Sequence, residues 1–86
     1  MPVQSNQYTM PISKRDIHNF LRAELRVKKP HLTIKLTSKE VDRGYDFLQG
    51  YYTYMSKELM PPLIESEINQ HLFDVVYPYV LHNLEE

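Results

Sequence analysis

Apolar residues recur at helical spacing along most of the chain. Ile17, Phe20, Leu21 and Leu25 fall on one side of a 3.6-residue repeat, the stripe of an amphipathic helix. Ser13-Lys14-Arg15-Asp16 stands just ahead of them with the form of a capping box, a hydroxyl followed three residues on by an acid. Lys28-Lys29-Pro30 ends the run, because proline pushes the residue before it out of the α region. The pattern predicts a first helix from Lys14 to Val27.

Leu32-Thr33-Ile34-Lys35-Leu36 alternates apolar and polar, the signature of a strand, but over only five residues. An extended loop laying its three apolar side chains over a helical core fits the same pattern and is the preferred reading.

Thr37-Ser38-Lys39-Glu40 has the form of a second capping box and opens the longest periodic run. Val41, Tyr45, Leu48, Tyr52, Met55 and Leu59 alternate steps of four and three, the seam of a packed helix. Phe47, Tyr51 and Tyr54 form a second stripe beside it. Together the stripes cover about half the circumference, against the ~100° arc of a one-sided surface helix. Asp42, Arg43, Asp46, Gln49, Thr53 and Lys57 occupy the opposite face. Gly44 falls inside the apolar arc, where a missing side chain lets a neighbour approach closely. Gly50 falls on the polar side, costs about 1 kcal/mol relative to alanine, and marks a candidate break.

Met60-Pro61-Pro62 stops this helix and starts the next, since proline suits a first helical turn. Glu65 and Glu67 then lie where the helix dipole favours acids. Ile64, Ile68, Leu72, Val75, Val76 and Tyr79 make the inward stripe. Pro78 predicts a kink or restart, with an apolar, packing tail from Tyr79 to Leu84. The expected fold class is all-α: a small bundle of three helices, or four segments if Gly50 divides the second. A flexible N-terminal arm spans residues 1–11, a single helical domain spans 12–86, and the last helix is proline-kinked.

Composition narrows the functional classes. At 86 residues the chain makes one domain with a thin stability margin. Seven tyrosines and three phenylalanines are too much aromatic material for a disordered chain, and two glycines are too few for a turn-rich β fold. No cysteine is present, which removes disulfides and thiolate metal sites and fits a cytoplasmic protein. Met1 to Gln7 lack the basic and apolar regions of a signal peptide, and no run reaches the ~18 apolar residues of a membrane span. Charge is unevenly spread. Met1 to Arg43 carry nine Lys or Arg against four acids, +5, and Gly44 to Glu86 carry one Lys against seven acids, −6.

The chemistry the chain lacks is informative too. There is no cysteine nucleophile, glycine-rich phosphate loop or G-x-S-x-G elbow. His18, His31, His71 and His82 form no H-x-x-H or H-x-x-x-H pair. Glu67, His71 and Asp74 share one side of the third helix with Gln70, opposite the apolar stripe, which is most simply a solvated face. No catalytic residue, metal site, cofactor or small-molecule substrate is expected.

Two surfaces remain. Arg15, Asn19, Arg22 and Arg26 line one face of the first helix, and Lys28, Lys29 and Lys35 continue the positive charge into the connector. Such groups meet phosphates and read base edges, although a basic solubilising face has the same appearance. A strand over Leu32–Leu36 followed by two helices would have the order of a ribbon-helix-helix dimer, with Thr33 and Lys35 in the major groove. The preceding helix and Pro61-Pro62 weigh against that arrangement, and Pro61 also leaves too short a central helix for a histone-like one. Phe47, Tyr51 and Tyr54 are either core or, if left over after packing, a protein interface of the aromatic kind enriched at contacts. The expected function is a non-catalytic interaction or regulatory protein that meets a protein partner, or a second copy of itself as a homodimer, through that aromatic face. Nucleic-acid binding through the basic face is the alternative.

Overall fold

The computed structural model describes residues 10–56 and 65–86. Three long helices form the molecule: α1 (Lys14–Lys28), α2 (Ser38–Tyr54) and α3 (Glu65–Leu84). Among the described residues there is no strand. The boundary between the second and third helices falls at residues 57–64, outside the described residues, as do the expected contributions of Lys57, Leu59, Pro61, Pro62 and Ile64.

α1 begins as its sequence dictates. The Asp16 amide donates to Ser13 Oγ at 3.1 Å and the Ser13 amide to Asp16 Oδ2 at 3.1 Å, closing the capping box. Ile17, Leu21 and Leu25 are buried along its inner face. The helix ends where Lys29, held off the α region ahead of Pro30 (φ −144°, ψ 64°), donates its amide to Leu25 O at 2.7 Å.

Pro30–Lys35 is neither a strand nor an extended loop but a 3₁₀ helix. Proline presets its first turn, and Thr33 Oγ1 closes it by donating to Pro30 O at 2.8 Å. That winding separates three side chains a strand would have aligned. Leu32 and Leu36 enter the core, while Ile34 is 85% exposed. The ribbon-helix-helix arrangement loses its strand here.

α2 starts at the predicted residue, but its capping box does not form. Thr37 is extended (φ −99°, ψ 171°) and its side chain makes no cap. The Thr37 amide, which Glu40 would have accepted, is already donated to Lys35 O at 3.0 Å. Glu40 therefore turns toward Arg43, 3.8 Å away, leaving its Oε1 buried without a partner. Gly50 makes no break, because α2 runs through it to Tyr54. Nothing lies within 4 Å of where a Cβ would sit at Gly50. Gly50→Ala is accordingly expected to stabilise the domain by about 0.5–1 kcal/mol. A thermal melt should show that as a higher Tm, and an unchanged or lower Tm would mean the helix is not held at this position.

α3 also continues where a restart was an option. Pro78 lies inside the helix, and the buried Val80 and Leu84 carry the stripe beyond it. The fully or nearly buried positions are Leu72, Val76, Val80 and Leu84, each four residues after the last. A step of four advances the stripe by about 40°, so the buried line winds around α3 instead of running straight. Its last turn lies against the 3₁₀ segment, where Lys29 pairs with Glu85 at 3.3 Å and Lys35 Nζ donates to Leu84 O at 3.4 Å. Positive side chains at a helix C-terminus are favoured by the dipole. Met10 and Ile12 are buried in the same core, so packing starts ahead of α1; residues 1–9 of the segment expected to be an arm lie outside the described residues.

Candidate functional site

The aromatic stripe of α2 meets α3. Phe47 stacks on Tyr79 with ring centroids 4.2 Å apart and planes within 4°. Tyr51 follows one turn later, 6.4 Å from Phe47, and its Oη lies 2.7 Å from His71 Nε2. Two of the three candidate interface residues thus pack within the chain, and both keep part of their surface in solvent. Tyr54, next along the same stripe, is 54% exposed. The α3 members, Tyr79 and His71, were not legible as site residues, since Tyr79 read as core and His71 as solvated. The result is a ladder of half-exposed rings along the α2–α3 seam.

The basic set divides. Arg15, Asn19, Arg22 and Arg26 are exposed together on the outer face of α1, as spacing predicted. The lysines are committed elsewhere. Lys28 Nζ is 2.9 Å from Glu24 and 5.1 Å from the centre of the Tyr77 ring. The hydrogen bond and negative charge of Glu24 hold its ammonium pKa above the ordinary 10.5. Lys29 and Lys35 clamp the end of α3. Lys14 likewise pairs with Asp42 at 3.1 Å and lies over the Tyr45 ring.

Shallow cavities among the described residues flank α1. One of about 260 Å³ runs between α1 and α3, lined by Phe20, Glu24, Lys28, Gln70, Asp74 and Tyr77. Phe20 stacks on Phe73 beside it at 4.5 Å, and Tyr77 Oη is buried without a hydrogen-bond partner. Another, about 310 Å³, lies between the starts of α1 and α2 and includes Arg15 and His18. Sequence spacing could not have found the first, because it joins residues on two helices far apart in the chain. Glu67, His71 and Asp74 do not assemble as metal ligands: His71 is bonded to Tyr51, and Asp74 accepts from Gln70 at 2.9 Å. Among the described residues no three His, Asp or Glu side chains come together around a metal-sized space. No helix among them is long and apolar enough to cross a membrane.

Comparison of the chain with protein-family models, with curated proteins and with solved structures finds no match.

Proposed function

We propose that this chain is a cytoplasmic, non-catalytic interaction protein that associates with a second copy of itself through the aromatic ladder of α2 and α3. The observation that carries this is the residual exposure of Phe47, Tyr51 and Tyr79 after they have packed on one another, with Tyr54 projecting beyond them. Half-exposed aromatic rings in a row are costly in water and typical of contact surfaces. A domain this small also gains stability by burying such a strip in an oligomer.

Sedimentation equilibrium tests it. The expected result is a monomer–dimer equilibrium that Tyr54→Glu weakens at least about tenfold, the effect of losing a contact anchor. The Tyr54 side chain is 54% exposed and joins none of the ring stacks among the described residues, so helicity by circular dichroism should be unchanged. A single monomeric species over the whole concentration range, identical for both chains, would overturn the proposal.

A further inference from the structure

We propose that α1 reads the major groove of duplex DNA through the face formed by Arg15, Asn19, Arg22, Ala23, Arg26 and Val27. All six side chains are exposed. The inference rests on α1 alone and is independent of the aromatic ladder. Its first support is the distribution of charge pairs. The acids of α1 are occupied, Asp16 in the capping box and Glu24 with Lys28. Lys14, Lys28, Lys29 and Lys35 all have partners within the chain. Arg15, Arg22 and Arg26 form no ion pair among the described residues, which leaves three unpaired guanidinium groups on one line.

The second support is what lies among them. Asn19 sits between Arg15 and Arg22, and asparagine pairs with both edge groups of adenine in the major groove. Ala23 and Val27 follow it at steps of four along one flank. Val27 is 81% exposed and has no part in the core. Small and apolar side chains beside an asparagine are the groups that contact the thymine methyl. Arg15 to Arg26 spans about 16 Å of helix axis, roughly five base-pair steps of a duplex. A helix about 10–12 Å across also fits a groove about 12 Å wide.

The same face discriminates among nucleic acids. Binding of single strands relies on aromatic platforms for unstacked bases. Of the two aromatic side chains of α1, Phe20 is turned away and stacked on Phe73, and His18 is half-buried beside the start of α2, so neither lies on the arginine face as a platform. Duplex RNA closes its major groove too tightly for a helix to enter. An acidic protein surface would satisfy the arginines but gives Asn19, Ala23 and Val27 no shared purpose.

Fluorescence anisotropy on the full chain decides it, with a labelled mixed-sequence DNA duplex as probe. The same sequence as a single strand, an RNA duplex and a polyglutamate peptide serve as competitors. Affinity for the duplex should fall about 40-fold between about 50 and 200 mM salt if three phosphates are neutralised. Arg22→Gln with Arg26→Gln should lower the slope by about 0.9 per arginine removed from each bound chain. Asn19→Ala should leave the slope unchanged and reduce discrimination between duplexes differing at an adenine about tenfold. These positions are exposed, so circular dichroism should show unchanged helicity. No duplex binding at about 50 mM salt, equal competition by the single strand or polyglutamate, or arginine variants that bind like the parent would each overturn it.

Discussion

Leu48→Ala is expected to cost about 2–5 kcal/mol of folding stability. Leu48 has no exposed surface and lies in the middle of α2, the helix that packs against both of its neighbours. Removing three carbons there forfeits their transfer free energy and leaves a space the surrounding side chains only partly refill. A domain of this size holds about 4–13 kcal/mol in total, so the loss is a large fraction of what keeps it folded. Alanine is the better helix former, which means the local effect on α2 runs in the opposite direction. A measured loss therefore reports burial and packing at this site and not helix propensity. Urea denaturation followed by circular dichroism measures it, with Val27→Ala as the contrast. That residue is 81% exposed, and its truncation should change stability by less than about 0.5 kcal/mol. A Leu48→Ala loss below about 1 kcal/mol would mean that Leu48 does not sit between the helices.

The helices were legible in the sequence because their signals are local. Ser13 and Asp16 cap α1 with atoms three residues apart, and Pro30 stops it from the next turn, so no distant contact was needed to place either end. Pro30–Lys35 was misjudged for a physical reason. Alternation of Leu32, Ile34 and Leu36 looks like period two, but the proline and the Thr33 hydroxyl set a tighter winding that turns Ile34 outward. The cap expected of Glu40 failed because a backbone bond, Thr37 to Lys35, had already taken its donor. In α3 the apolar tail from Tyr79 to Leu84 was legible as a packing segment, and Val80 and Leu84 are its buried members, but the broad apolar arc did not say which of the tail's residues continue the buried line.

The candidate surfaces were legible in part, and for the same reason. Helical spacing put the arginines of α1 on one face, where the structure has them. It could not show that Lys29 and Lys35 are drawn to the end of α3, since those partners are brought near only by the fold. Phe47 and Tyr51 were correctly grouped as one stripe. That Tyr79 and His71 would meet them depends on how α3 lies beside α2, which no local pattern encodes. What the structure changes is the kind of surface at stake: a ladder shared by two helices, instead of a face belonging to one.

Gly44→Leu is expected to destabilise the fold by about 3 kcal/mol, the upper end of what overpacking a filled core costs. Gly44 is buried, and its backbone is ordinary helix without positive φ, so the glycine is required for room and not for conformation. A Cβ built there would stand 3.1 Å from Val80 Cγ2 and 3.2 Å from Val76 Cγ2. α3 lies against α2 at this point because nothing stands between them. Alanine gains about 1 kcal/mol of helix propensity but must push both valines back by a few tenths of an ångström, so Gly44→Ala should come out near neutral. Leucine adds three further carbons to a place already tight for one. Thermal denaturation should show Gly44→Leu melting well below the parent, by about 4–8 °C for each kcal/mol. Adding Val80→Ala opens the space that leucine needs, so the two losses should sum to less than additivity by about 0.5–3 kcal/mol. Strict additivity would break the link between Gly44 and Val80. It would place the cost in α2 itself, where Gly50→Leu, on the open side, should then be just as damaging.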